Sequence, residues 1–149
     1  MEKYRIILFD ADNTLFDFDK SAEMSFHAAA SALGVDCTDK LFESFRKIND
    51  SLWKALEEKK IERKELYTLR FRILAEKNGI QIDAVRFNSL YKRTLSDCSV
   101  LIPGAVNVIE RLYDAGKRLF IVTNGDYAVQ TERLKKSGIE AYFEDIFVS

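Results

Sequence analysis

Proline is almost missing from this chain: Pro103 is the single one in 149 residues, beside six glycines. Between Phe16 and Val100 there is no proline, and glycine occurs only at Gly34 and Gly79. So few breakers argue against a many-turned β architecture there and for long helices. Cysteine is scarce as well. Cys37 and Cys98 form no CxxC and no cluster with histidine, which argues against a disulfide scaffold or a zinc site. Two free thiols in a reducing cytosol are expected. His27 is the only histidine, and no partner stands at a spacing that implies a metal pair or a catalytic triad. Charge of one sign is not in excess: 23 basic and 24 acidic residues leave a net charge of −1. Nothing in that balance suggests a nucleic-acid surface or a basic membrane anchor. No apolar run reaches the roughly 18 residues of a membrane span. The apolar run in "MEKYRIILFD" is too short for a signal peptide and lacks a small-residue cleavage site, so a cytoplasmic location is expected.

What is present is patterned for one α/β domain. "YRIILF" (4–9), "RLFIVT" (118–123) and "DIFVS" (145–149) are short, apolar and rich in β-branched or aromatic residues. They suit strands of a parallel sheet covered on both faces. "PGAVNVIERLYDAG" (103–116) and "DYAVQTERLKKSG" (126–138) read as helices leading into the second and third strands, with Ala128, Val129 and Leu134 on the inner face of the latter. Residues 118–148 then form a right-handed strand–helix–strand crossover. Helical period predicts further helices at Ser21–Leu33, Lys40–Lys59, Glu62–Asn78 and Asp83–Asp97. In the third of these, Leu66, Leu69, Phe71, Ile73 and Leu74 supply one buried face. The expected fold is α/β: a Rossmann-like parallel sheet of about three strands, residues 1–16 and 100–149, with an α-helical cap inserted at 17–99.

Two stretches carry chemistry. In open α/β sheets, ligands bind beyond the carboxyl ends of the strands. Asp10 and Asp12 follow the first strand, where two carboxylates so close repel and raise each other's pKa. A divalent cation relieves that repulsion, and hard oxygen ligands favour Mg²⁺. One carboxylate can serve as nucleophile and the other as general acid/base. After the second strand, "FIVTNGD" offers the hydroxyl of Thr123, the amide of Asn124 and the backbone of Gly125 for phosphate oxygens. Taken alone, each stretch also reads as an ordinary turn at a strand end. No GxGxxG follows the first strand, which disfavours a dinucleotide enzyme.

"DADNTL" (10–15), preceded by four apolar residues, resembles the first motif of the haloacid dehalogenase superfamily, and "VTNG" resembles its second. The resemblance implies that Asp10 is the nucleophile and a Mg²⁺ ligand. It implies that Asp12 is the acid/base and adds its backbone carbonyl to the metal, and that Thr14 orders the loop. Thr123 would hold the phosphoryl group with Asn124 beside it. "INDSLWKALEEKKIERKELYTLRF" (48–71), with "LIPGA" and "VTNG", is similar to pyrimidine 5′-nucleotidases of the helical-cap branch. That similarity implies a nucleoside monophosphate substrate, with Trp53 or Asn49 facing it; Trp53 reads equally well as a core aromatic of the cap. Asp12 disfavours a dehalogenase but leaves a phosphomutase as an alternative. The family's lysine after the third strand and its later acidic pair are not among these 149 residues. A shortened chain of low activity is therefore expected, or a non-catalytic remnant that binds a partner. The unpaired sheet edge could also join a second copy into a homo-oligomer.

Overall fold

The computed structural model describes residues 4–149. Three strands, β1 (Ile6–Phe9), β2 (Arg118–Thr123) and β3 (Asp145–Val148), form a parallel sheet in the order β1-β2-β3. Leu8 pairs with Phe120, and Val122 with Phe147. Among the described residues six helices accompany them: α1 (Phe18–Ala32), α2 (Asp39–Glu57), α3 (Arg63–Asn78), α4 (Ala84–Asp97), α5 (Ala105–Asp114) and α6 (Tyr127–Ser137). A 3-10 turn at Glu140–Tyr142 precedes β3. This is the expected α/β class with a Rossmann-like sheet. The chain divides into two compact units, one of residues 1–24 and 95–149 and one of residues 25–94.

The first unit carries the sheet. Its core joins Ala11, Leu15 and Phe16 to Ala105 and Ile109 of α5, Leu119 and Ile121 of β2, and Leu134 of α6. Full burial of side chains such as Leu119 and Ile121 stabilises the fold by roughly 1.5–3 kcal/mol each. Among the described residues, only this face of the sheet is covered. On the other face Ile6 is 52% and Leu8 62% exposed, so the two-sided burial expected of β1 is not found.

The second unit is built on stacked aromatic rings. Phe45 stacks on Phe26 and Phe71, Phe71 stacks on Phe87, and Tyr91 meets Phe45 and Phe71 edge-on. Arg70 takes an inward position on α3, while Leu69 and Ile73 are only half-buried. The guanidinium lies 4.8 Å from the Tyr91 ring centre and bonds Asn49 Oδ1 at 3.0 Å and Asn88 Oδ1 at 2.7 Å. Helix ends follow capping chemistry. Thr38 Oγ1 accepts from Leu41 N–H at the start of α2, Glu62 and Glu65 form a capping box on α3, and Gly79 closes α3 in the left-handed region. α1 starts three residues earlier than its apolar pattern suggests, because Asp17 Oδ1 accepts from Lys20 N–H. His27 packs edge-on to Phe26.

Candidate functional site

The loop after β1 is held by its own backbone. Ala11 C=O accepts from the N–H groups of Leu15 and Phe16 at 2.9 and 3.0 Å. Asn13 takes φ +57°, a left-handed conformation that asparagine tolerates better than most residues. Its Oδ1 accepts from Phe18 N–H at 3.1 Å, so the turn is tied to the start of α1. This local folding sets Asp10 and Asp12 apart. Asp10 is exposed at the strand end, where the Thr14 hydroxyl acts to lower its carboxyl pKa. Its carboxyl pKa is raised, chiefly by partial desolvation and further by the charge of Asp12; the Ala11 backbone bond and the Thr14 bond oppose the rise.

Asp12 points to α6 instead. Its Oδ1 accepts from Arg133 Nη1 at 2.6 Å and its Oδ2 from Gln130 Nε2 at 2.7 Å. Arg133 is wholly buried: Nε donates to Cys98 C=O at 3.0 Å, and the guanidinium lies 4.3 Å from the Phe16 ring centre. Gln130 also reaches Thr123, its Nε2 donating to the Thr123 hydroxyl oxygen at 3.3 Å. Gly125 N–H donates to that same oxygen at 3.0 Å. Asp126 caps α6 by accepting from Val129 N–H, and Asn124 Oδ1 accepts from the Ser149 hydroxyl at 2.5 Å.

The sequence-predicted residues thus fall in two places. Asp10, Asp12, Thr14, Thr123, Asn124 and Gly125 belong to the sheet unit, and Gln130 bridges Asp12 to Thr123. Asn49 and Trp53 belong to the helical unit. There Asn49 is 5% exposed and bonded to Arg70, while Trp53 is half-buried with Arg63 over its ring at 5.6 Å. Gln130 and Arg133 were not foreseen. They lie beside Val129 and Leu134 on the buried side of α6, whereas Ala128, expected inside, is exposed. The signal was available: a glutamine and an arginine three apart, in phase with apolar neighbours. Lys136 pairs with Asp97 and Glu132. Among the described residues, no three His, Cys, Asp or Glu side chains cluster as a metal cage.

Acidic and hydroxyl side chains thus stand beyond the carboxyl ends of two neighbouring parallel strands of a Rossmann-like α/β sheet. The chain belongs to the haloacid dehalogenase-like hydrolases, whose family profile matches residues 4–149. It is 35% identical over its whole length to the HAD-hydrolase YfnB of Bacillus subtilis, covering 63% of that protein. It is 33% identical over 98% of its length to the pyrimidine 5′-nucleotidase PynA of Streptococcus pneumoniae, covering 62% of it. A crystal structure of YfnB bound to magnesium superimposes with a TM-score of 0.93 over 98% of this chain and 65% of that one. The chain therefore spans less than two thirds of the length of these relatives.

Proposed function

We propose that this chain carries the nucleophile half of a Mg²⁺-dependent phosphatase acting on nucleoside monophosphates. The observation that carries the reading is the division of labour between the two carboxylates. Asp10 is open to solvent, with a hydroxyl donor at its side, and Asp12 is fixed two residues later by α6. In this reading an Asp10 oxygen attacks phosphorus and the bond to the nucleoside oxygen breaks. Asp12 enters this step protonated, gives that oxygen its proton, and is left as the carboxylate that Arg133 and Gln130 hold. Asp12 then takes a proton from water, the water oxygen attacks phosphorus, and the bond to Asp10 breaks. The Thr123 oxygen already accepts two hydrogen bonds, so its own hydrogen is left to donate to a phosphoryl oxygen. Asn124 and Gly125 extend that cradle.

The donor set suits Mg²⁺. Asp10 offers an exposed carboxylate whose pKa is raised chiefly by partial desolvation, and the family resemblance makes the Asp12 backbone carbonyl the second ligand. When bound, Mg²⁺ supplies positive charge to the phosphoryl oxygens. Support for the ion comes from the magnesium-bound YfnB structure, and support for the substrate class from the name of PynA. Residues 17–99 are the proposed cap. Trp53, with accessible surface, is the residue within it that would stack on a base, whereas Asn49, expected to face the substrate, is buried and bonded to the buried Arg70. A cytoplasmic setting fits the free thiols Cys37 and Cys98.

Phosphate release from uridine monophosphate, with and without Mg²⁺, tests the reading. Asp10→Asn is expected to lower kcat by roughly 10³-fold or more. Trp53→Ala is expected to change the preference among nucleobases. Undiminished release by Asp10→Asn would refute the proposal. The 149 residues assayed by themselves are expected to be slow, because the lysine and acidic pair of the family are not among them and each lost electrostatic group costs roughly 10²–10³ in rate.

A further inference from the structure

We propose that Gln130 and Arg133 are positioning residues for Asp12, so that one helix, α6, sets both the acid/base group and the phosphate-contact hydroxyl. The inference rests on the reading of Asp12 given above. Each oxygen of the Asp12 carboxylate has its own donor, at 2.6 Å from Arg133 and 2.7 Å from Gln130. Rotating the side chain breaks two short bonds at once, one of them between full charges.

Neither donor can follow such a rotation. The Arg133 side chain is 0% exposed and pinned on three further sides, by Cys98 C=O at 3.0 Å, Ser21 Oγ at 3.5 Å and the Phe16 ring at 4.3 Å. The Gln130 amide has a fixed sense. Its Oε1 accepts from Arg133 Nη1 at 3.1 Å, so its NH₂ must face Asp12 and Thr123. Gly125 makes room for that amide, since a Cβ built on Gly125 would collide with Gln130 Nε2. Arginine, glutamine, aspartate and threonine therefore form one network whose members fix each other's geometry. Outer partners of this kind typically change activity or metal affinity by roughly 10–100-fold when removed.

The test has two arms on the same protein. In the first, side-chain ¹⁵N–¹H spectra read the clamp without any turnover. Arg133 Nη–H and Gln130 Nε2–H signals are expected to be resolved and protected from exchange, and both are expected to shift in Asp12→Asn. An Arg133 guanidinium exchanging as fast as a solvent arginine overturns the proposal. In the second, Gln130→Met keeps the volume and removes the donors. Its kcat for phosphate release is expected to fall by roughly 10–100-fold with KM within about twofold of wild type. Arg133→Lys is expected to retain more of kcat than Arg133→Met. A purely structural role would lower the melting temperature and leave kcat per folded molecule intact; a kcat that is unchanged or raised overturns the proposal. Failure of the phosphatase reading shows separately, as phosphate release that Asp10→Asn leaves undiminished, while the spectra still decide the clamp.

Discussion

Asp10 is held at a residue-level disadvantage that the fold tolerates. Partial desolvation and the nearby Asp12 charge raise its carboxyl pKa above the ordinary value. A carboxyl whose pKa is raised on folding binds its proton more tightly in the folded chain than in the unfolded one. Its ionisation therefore destabilises the fold. The penalty is absent below the ordinary carboxylate range, grows as pH rises from the ordinary to the raised value, and is complete above the raised value. Asp10→Asn cannot ionise. It is expected to raise the melting temperature slightly at pH 7, with the gain closing below about pH 4. Calorimetry of both proteins across that range checks this, and a lower melting temperature for the variant at pH 7 contradicts it. A functional group that detracts from stability is the usual trade at a working site.

At the scale of elements, the helix ends are where sequence and structure agree most closely, because capping is local chemistry. Gly79 ends α3 at φ +62°, and nothing lies within 4 Å of where its Cβ would stand. Gly79→Ala therefore meets no steric obstacle, only backbone strain. It is expected to destabilise by about 1 kcal/mol in urea titrations; a neutral result would mean the helix end relaxes. The same locality made "DADNTL" legible. Apolar strand, acidic pair and turn-forming Asn13 are consecutive, and the structure places them as a strand end and a tight turn. α6 was legible only in part. Its limits follow from Asp126 and Gly138, but its inward positions hold Gln130 and Arg133, whose partners Asp12 and Thr123 come from elsewhere in the chain. Helical period told which positions face inward. It could not tell that polar groups there would meet a carboxylate 118 and 121 residues away. Arg70 on α3 is the same case: a buried position filled by a cation whose amide and aromatic partners are contributed by other helices.

At the scale of the whole chain, the described residues cover one face of the sheet and leave the other exposed. Alternation along β1 sends Ile7 and Phe9 to the core and leaves Ile6 and Leu8 at 52% and 62% exposure. β2 and β3 add Val122 at 38% and Phe147 at 49% to the bare side, where Phe147 also meets the Phe120 ring. Register makes these a contiguous apolar patch rather than scattered residues, since Leu8 sits opposite Phe120 and Val122 opposite Phe147. Patches of this kind on parallel strands mark surfaces that associate. The 149-residue chain is therefore expected to bind the dye ANS and to self-associate as its concentration rises, more strongly at high sulfate, where apolar burial is favoured. Leu8→Lys with Val122→Lys places two charges on the patch without touching the covered face. It is expected to reduce dye binding and association together while leaving the melting temperature near that of the parent. Sedimentation velocity over a concentration series separates the outcomes. A parent chain that stays monomeric and binds no dye would show the face to be inert, and a double variant that unfolds would show these side chains to be part of the core rather than a surface.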